Sequence, residues 1–231
     1  MKLVLFDIDG TLVRDDGAAR EAFAEGLDVV YGYQDDLARF DFSGKTDPAI
    51  AHEVLSSGGF EKEEINQGLP SLWFRYVEGL RHRLNRSRQR VLPGVHELLA
   101  RLSERKDFTL GLVTGNIEPG ARVKLAPWDL NRHFSWGAYG SDSKDRTLLP
   151  PIAVERVRRE TGHCFAPRNV VIIGDSIWDV RCGVPHEATT IAVASGRTPA
   201  EDLLAENPDH FFESMEETDR WIEAIIGEGS G

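Results

Sequence analysis

Four short apolar runs, at residues 2–6, 108–113, 169–173 and 190–193, are set among stretches of helical periodicity, and this alternation leaves few architectures open. Runs without a polar face suit strands buried on both sides, as in a parallel sheet. The helical stretches, at 94–105, 120–125, 149–161 and 199–205, supply the crossovers that parallel strands need. The expected fold is α/β, a doubly wound, mainly parallel, Rossmann-like sheet. Ligands of such sheets bind beyond the carboxyl ends of the strands. Three of the runs lead straight into polar residues at that edge: Asp7, Thr114 and Asp175.

The stretch from about 14 to 90 reads differently. Ala19, Phe23, Leu27 and Val30 fit one helix face, while Leu72, Tyr76, Leu80 and Leu84 recur every four residues. Asp47-Pro48 supplies a helix start, with Asp47 as the expected N-cap. Leu92-Pro93-Gly94 punctuates the return to the sheet. The organisation expected is a core of residues 1–14 and 91–231 and an inserted all-α cap of residues 15–90. Because the insertion follows the first strand directly, it rises over the carboxyl edge of the sheet, where a lid can cover a site. A chain of 231 residues has room for both parts.

Charge narrows the partners. With 27 basic and 38 acidic residues, the net charge of -11 repels a nucleic-acid backbone. The local exception, five arginines and His82 between positions 81 and 90, is assigned to a solvated helix end. Residues 1–7 lack the pattern of a signal peptide, and no stretch reaches the apolar length of a membrane span, so the expected location is the cytoplasm. Cys164 and Cys182 are too few for a disulfide framework and are given no chemistry. The tail from Gly227 onward is expected to fray.

At the first strand end stands Asp7-Ile8-Asp9-Gly10-Thr11, two carboxylates that a curl of the chain can bring to one point. Taken alone, it is equally compatible with an ordinary turn. At the second stands Thr114-Gly115-Asn116, where a hydroxyl and bare backbone N–H groups can face a phosphate. At the third, Asp175 and Asp179 are four residues apart, close enough for a first helical turn to present both; the alternative is that Asp175 merely caps a helix.

Together these motifs resemble the haloacid dehalogenase superfamily, whose first motif is matched by residues 7–11, the second by Thr114 and the fourth by Gly174-Asp175 with Asp179. The resemblance spans essentially the whole chain, including a helical insertion similar to this family's cap. Residues 174–183 are similar to the corresponding segment of phosphoglycolate-phosphatase-like members. The resemblance implies a Mg2+-dependent phosphomonoester hydrolase acting on a small phosphorylated metabolite, with neither nucleic acid nor membrane as partner, as a monomer or homodimer. Asp7 is the implied nucleophile, forming an acyl phosphate. Asp9 is the implied general acid and then base. The implied metal ligands are Asp7, the main-chain carbonyl of Asp9 and Asp175, with Asp179 orienting a metal-bound water or coordinating directly. Thr114 belongs to the catalytic set, and Gly10, Thr11, Gly115 and Asn116 to the substrate-binding set.

The family's third motif, a lysine often followed by proline, is not matched cleanly. Lys144 and Arg146 both precede the helix at 149–161 and both remain candidates for the catalytic cation. Within the insertion, Ser43-Gly44-Lys45-Thr46-Asp47 is similar to cap loops that reach the substrate, which makes Lys45 a candidate contact, against the alternative of an exposed lysine beside a helix start. A phosphosugar mutase would use the same Asp7 and Asp9. A non-catalytic phosphate-ligand-binding protein is the alternative of another class, supported only by the irregular third motif.

Overall fold

The computed structural model describes residues 1–85 and 87–227. In chain order the strands are β1 (Lys2–Phe6), β2 (Val13–Asp15), β3 (Gln89–Val91), β4 (Phe108–Thr114), β5 (Trp136–Tyr139), β6 (Val170–Gly174), β7 (Thr189–Val193) and β8 (His210–Phe212). The helices are α1 (Ala18–Tyr31), α2 (Asp47–Ser57), α3 (Lys62–Arg83), α4 (Val95–Ser103), α5 (Glu118–Leu125), α6 (Leu149–Thr161), α7 (Ile177–Gly183), α8 (Ala200–Ala205) and α9 (Thr218–Ile226). Six strands pair in the order β5-β4-β1-β6-β7-β8, all parallel.

The side-chain alternation of β1 explains why its sequence after Lys2 is apolar throughout. Leu3 and Leu5 pack on one face against Leu149, Ala153 and Val157 of α6. Val4 and Phe6 pack on the other, in a cluster with Leu98 and Leu102 of α4 and Trp221 and Ile225 of α9. With both faces covered, each such side chain contributes roughly 1.5–3 kcal/mol of hydrophobic stabilisation. The chain runs from β1 out to β4 and β5 on one side, then returns to β6, β7 and β8 on the other. The strand order therefore reverses at β1, and the crevice beyond its carboxyl end is where an open α/β sheet binds ligands.

The two edge strands and the small antiparallel ribbon of β2 and β3 were not expected. β5 (WGAY) and β8 (HFF) each have one neighbour, so neither needs a continuous apolar run, and β2 and β3 are three residues each. The ribbon pairs Arg14 with Arg90 and Asp15 with Gln89, at the base of the helical insertion.

α1, α2 and α3 bury a cluster of their own around Phe23, Leu27, Leu55, Leu72 and Leu80, which Ile117 of the core joins. Phe23 meets Tyr76 edge to face, with ring centroids 5.4 Å apart. The four-residue stripe of α3 is buried as expected, whereas on α1 the buried face includes Ala18, Ala22 and Gly26 and leaves Val30 only partly covered. The N-cap of α2 is Thr46 rather than Asp47: its Oγ1 accepts from the Ala49 N–H at 3.3 Å, because the Asp47 carboxylate is drawn across to the core.

The arginine-rich end of α3 is solvated and paired. Arg81, Arg83 and Arg88 engage Glu78, Glu25 and Glu21 at 2.5, 2.5 and 2.7 Å. Exposed pairs of this kind contribute at most about 1 kcal/mol each and leave none of these three arginines unpaired. Arg86 and the tail beyond Gly227 lie outside the described residues. Both cysteines are free, Cys164 exposed and Cys182 buried. Among the described residues no helix is long and apolar enough to cross a membrane.

Candidate active site

Asp7 is the first residue past β1, and its N–H still donates to the Ile173 carbonyl at 2.9 Å, so the sheet fixes its backbone. Thr114 ends β4 and Asp175 follows β6, the two strands flanking β1. Adjacent tips bring the three together. Asp179 joins them through the start of α7, where Ser176 is the N-cap. The Asp179 N–H donates to Ser176 Oγ at 3.3 Å, while Asp179 Oδ2 accepts from Ser176 N at 2.9 Å and from Ser176 Oγ at 2.6 Å. This reciprocal cap turns the Asp179 side chain back toward the strand tips.

The carboxylate oxygens that Asp7, Asp175 and Asp179 present lie within 4.8 Å of one another, and all three residues are buried. Arg146 meets them from the turn ahead of α6. Its Nη2 lies 3.2 Å from Asp7 Oδ1 and donates to Asp179 Oδ1. One guanidinium does not neutralise three buried carboxylates. Burial raises the pKa of Asp7, against the pull of Arg146, and lifts Asp175 well above the usual carboxylate range, with Asp179 and Asp7 adding to the effect. A hard divalent cation offered only oxygen ligands relieves that excess. Asp7 engages Arg146 and Asp175 engages Thr11 through one oxygen each, whereas both oxygens of Asp179 already accept hydrogen bonds. Asp7 and Asp175 are thus the better-disposed pair for a cation, with Asp179 bracing Arg146 beside them.

Asp9 projects differently. Its Oδ2 accepts from Asn116 Nδ2 at 2.7 Å and from Lys124 Nζ at 2.6 Å. Lys124, on α5, is 4% exposed and was missed in the sequence reading. Burial opposes its charge, but Asp9, then Tyr76 and Asp47, outweigh that and hold it protonated. One signal was available: Lys124 follows Ala121 by three residues and precedes Leu125, so it falls on the buried face of its helix.

The loop ahead of α2 is fastened over these groups. The Asp47 N–H donates to the Gly115 carbonyl at 2.7 Å, Thr46 Oγ1 to the Lys144 carbonyl at 2.9 Å, and Arg146 Nη1 to the Gly44 carbonyl at 3.0 Å. The approach at Gly115 is so close that a Cβ there would collide with the Lys45 carbonyl oxygen. Between loop and strand tips lies a cavity of about 190 Å³, lined by Asp7, Asp9, Thr114, Asn116, Lys45 and Tyr76 among others. At ~10–15 Å³ per water position, it holds roughly 13–19 waters, the space of a small metabolite.

Asp47 makes this closure pH-dependent. Its Oδ2 accepts from the Ile117 N–H at 2.8 Å, yet burial pushes the carboxyl up to about 6 from 3.8. A folded-state value raised above the unfolded one gives a stability contribution present at low pH and lost as pH rises through about 6. Asp47→Asn keeps the acceptor and removes the charge. Its melting temperature relative to wild type should therefore rise between pH 5 and pH 8, by roughly 1.5 kcal/mol of stability. Parallel pH-independent melting curves would contradict the buried ionisation.

The expected site residues divide. Gly10, Lys45, Thr114, Gly115, Asn116 and Arg146 line the cavity with Asp7, Asp9 and Asp175. Thr11 does not: its buried hydroxyl donates to Asp175 Oδ1 at 2.9 Å and braces a carboxylate. Lys144 is exposed and offers the cap only its carbonyl, because the turn before α6 aims Arg146 inward. Lys45 lines the cavity while its ammonium is held by Glu53 Oε2 at 2.5 Å.

The family model described as a haloacid dehalogenase-like hydrolase matches residues 1–184. A phosphoglycolate phosphatase of Pseudomonas savastanoi pv. phaseolicola is 26% identical over 215 residues, covering 90% of this chain and 74% of its own. A crystal structure described as a predicted phosphoglycolate phosphatase from Haemophilus somnus 129PT superposes with a TM-score of 0.72 at 18% identity, covering 96% and 98% of the two chains. A β-phosphoglucomutase from Clostridium difficile superposes with a TM-score of 0.74, also at 18% identity, covering 98% and 97%.

Proposed function

Since this chain belongs to the haloacid dehalogenase-like hydrolase family, we propose that it is a Mg2+-dependent phosphatase of a small phosphorylated metabolite, working through an aspartyl phosphate on Asp7. The observation that carries this reading is the placement of Asp7 at one wall of the cavity, 3.2 Å from the Arg146 guanidinium and clustered with Asp175. The relatives' name, phosphoglycolate phosphatase, supports a short phosphomonoester as substrate.

An Asp7 oxygen attacks phosphorus in line, forming a P–O bond as the bond to the alcohol breaks. Arg146 contributes charge-assisted hydrogen bonding where negative charge develops, and Thr114 with the Gly115 backbone bounds the phosphoryl group. With Oδ2 taken by Asn116 and Lys124, Asp9 must carry a proton on its other oxygen when substrate binds, which it gives to the leaving alkoxide; it then takes one from the water that cleaves the acyl phosphate and restores Asp7. Asn116 and Lys124 fix the direction of Asp9. Asp7, Asp175 and the main-chain carbonyl of Asp9 would hold Mg2+, which would offset the repulsion between nucleophile and phosphate dianion. Residues 15–90 act as the cap over a core of 1–14 and 91–231. Both junctions fall in the β2–β3 ribbon. We take the protein to act in the cytoplasm, as a monomer or homodimer.

The test is release of inorganic phosphate from 4-nitrophenyl phosphate, expected with Mg2+ and abolished by chelator. No release from that ester or from a panel of phosphorylated metabolites would overturn the reading; a burst of isomerised sugar phosphate without free phosphate would move it to a mutase. The cation assignment has its own test. Arg146→Lys keeps the charge but not the fork and should lower turnover about tenfold, while Lys144→Ala should leave it unchanged. The reverse ranking would return the role to Lys144.

A further inference from the structure

Among the described residues, Arg14, Arg20, Arg75 and Arg197 are the arginines with no carboxylate in ion-pair contact, and Arg14, Arg20 and Arg197 line the same cavity as Asp7. Their tasks differ. Arg14 fastens the loop after β7, donating to the carbonyls of Ser195 and, at 2.8 Å, of Gly196. Ser195 Oγ ties the same loop to the Gly10 carbonyl at 2.7 Å. Gly196 lies so close to Asp175 that a Cβ there would collide with the carboxylate. The loop is therefore fixed at the edge of the candidate metal site, and the next residue, Arg197, enters the cavity wall with no hydrogen-bond partner among the described residues.

Arg20 lies in the first turn of α1 and lines the same cavity. Its guanidinium donates to the carbonyls of Leu37 and Phe40 and stacks over the Phe42 ring, 4.0 Å from the centroid. It is held rigidly, and none of those partners carries charge. Burial and then the neighbouring Arg197 disfavour its cation, more than Asp41 and Asp36 favour it. Two guanidinium groups, one from the helical insertion and one from the core, thus share a cavity wall and repel each other. An anion placed between them removes that repulsion and meets one guanidinium already held in place, that of Arg20, and one without a competing partner among the described residues, that of Arg197.

We propose that Arg20 and Arg197 form a second anion subsite, which recognises a carboxylate or phosphate on the alcohol half of the substrate. It rests on the phosphatase reading and narrows it to short phosphomonoesters bearing a second negative group. The size of the cavity, about 190 Å³, suits such a molecule.

The experiment compares kcat/KM for 2-phosphoglycolate, ethylene glycol bisphosphate and ethyl phosphate in wild type, Arg197→Gln and Arg197→Glu. Arg197 is exposed and makes no hydrogen bond or ion pair among the described residues, so these variants should fold. Wild type should favour one or both anionic esters over ethyl phosphate by at least about tenfold, and which one identifies the anion. In Arg197→Gln that ratio should collapse, and Arg197→Glu should prefer phosphoethanolamine to 2-phosphoglycolate. A ratio near one in wild type, or one that neither substitution changes, overturns the subsite while leaving the phosphatase intact. If no ester is hydrolysed, the phosphatase reading has failed. Calorimetric binding of 3-phosphonopropionate against propylphosphonate then decides the subsite separately, and equal affinities overturn it.

Discussion

Exchanging Asp7 for asparagine is expected to lower phosphate release from an aryl phosphate by at least ~10⁴-fold while the protein stays folded. The two substituents are nearly the same size, and the backbone of residue 7 is held by the Ile173 carbonyl, so the change is one of charge and nucleophilicity. Stability separates this from damage. Burial raises the Asp7 carboxyl, so its ionisation costs folding free energy as pH rises through the folded-state value. The amide carries no such cost, and Arg146 keeps Asp179 as partner. Without Mg2+ at pH 7.5 the variant should melt at or above the wild-type temperature. Adding Mg2+ should raise the wild-type value more, since a cation binding the folded state stabilises by mass action and the variant has lost a ligand. Turnover within about tenfold of wild type would remove Asp7 as nucleophile.

Asp7 was legible in the sequence because burial and function act on consecutive residues. β1, β4, β6 and β7 are covered on both faces, so their residues are mostly apolar, and the polar residues at the ends of β1, β4 and β6 mark the edge of the sheet. The strands that escaped notice, β5 and β8, lie at the two edges, where short and mixed sequences suffice. The choice between Lys144 and Arg146 was not legible for another reason. Only Asp145 separates them, and which one faces inward depends on the turn that Asp145 begins, whose side chain accepts from the Thr147 N–H. A sequence gives the charges but not the sense of that turn.

Contacts between the helical insertion and the core were the least legible part of the site. Asp47 has the local signature of a helix cap, yet Thr46 takes that role and Asp47 reaches Ile117, 70 residues away in the chain. Thr11 lies inside the first motif but braces Asp175 instead of opening on the cavity. Both are cases in which a polar side chain satisfies a distant group, and only tertiary structure reveals the partner. Lys124 is the opposite case: a charge on the apolar face of a helix is visible in sequence, though its reason for being there is not.

That reason gives the second large prediction. Asp9→Asn is expected to slow turnover by a factor on the order of 10²–10⁴, because the leaving alkoxide loses its proton donor and the water its base. It should also destabilise the fold, since Lys124 Nζ, 2.6 Å from Asp9 and almost fully buried, loses its nearest counter-charge. Breaking a fully buried pair costs roughly 3–5 kcal/mol. Asp9 is 42% exposed, and water reaches its side of the contact. A loss of about 2 kcal/mol is therefore the better expectation. Lys124→Met on its own should lower activity less than Asp9→Asn, because it misaligns the acid without removing it. The double variant should regain stability, since neither buried charge is then unpaired, but not turnover. If the double variant instead recovers activity along with stability, the slow turnover of Asp9→Asn was a folding defect, and Asp9 does not carry the proton.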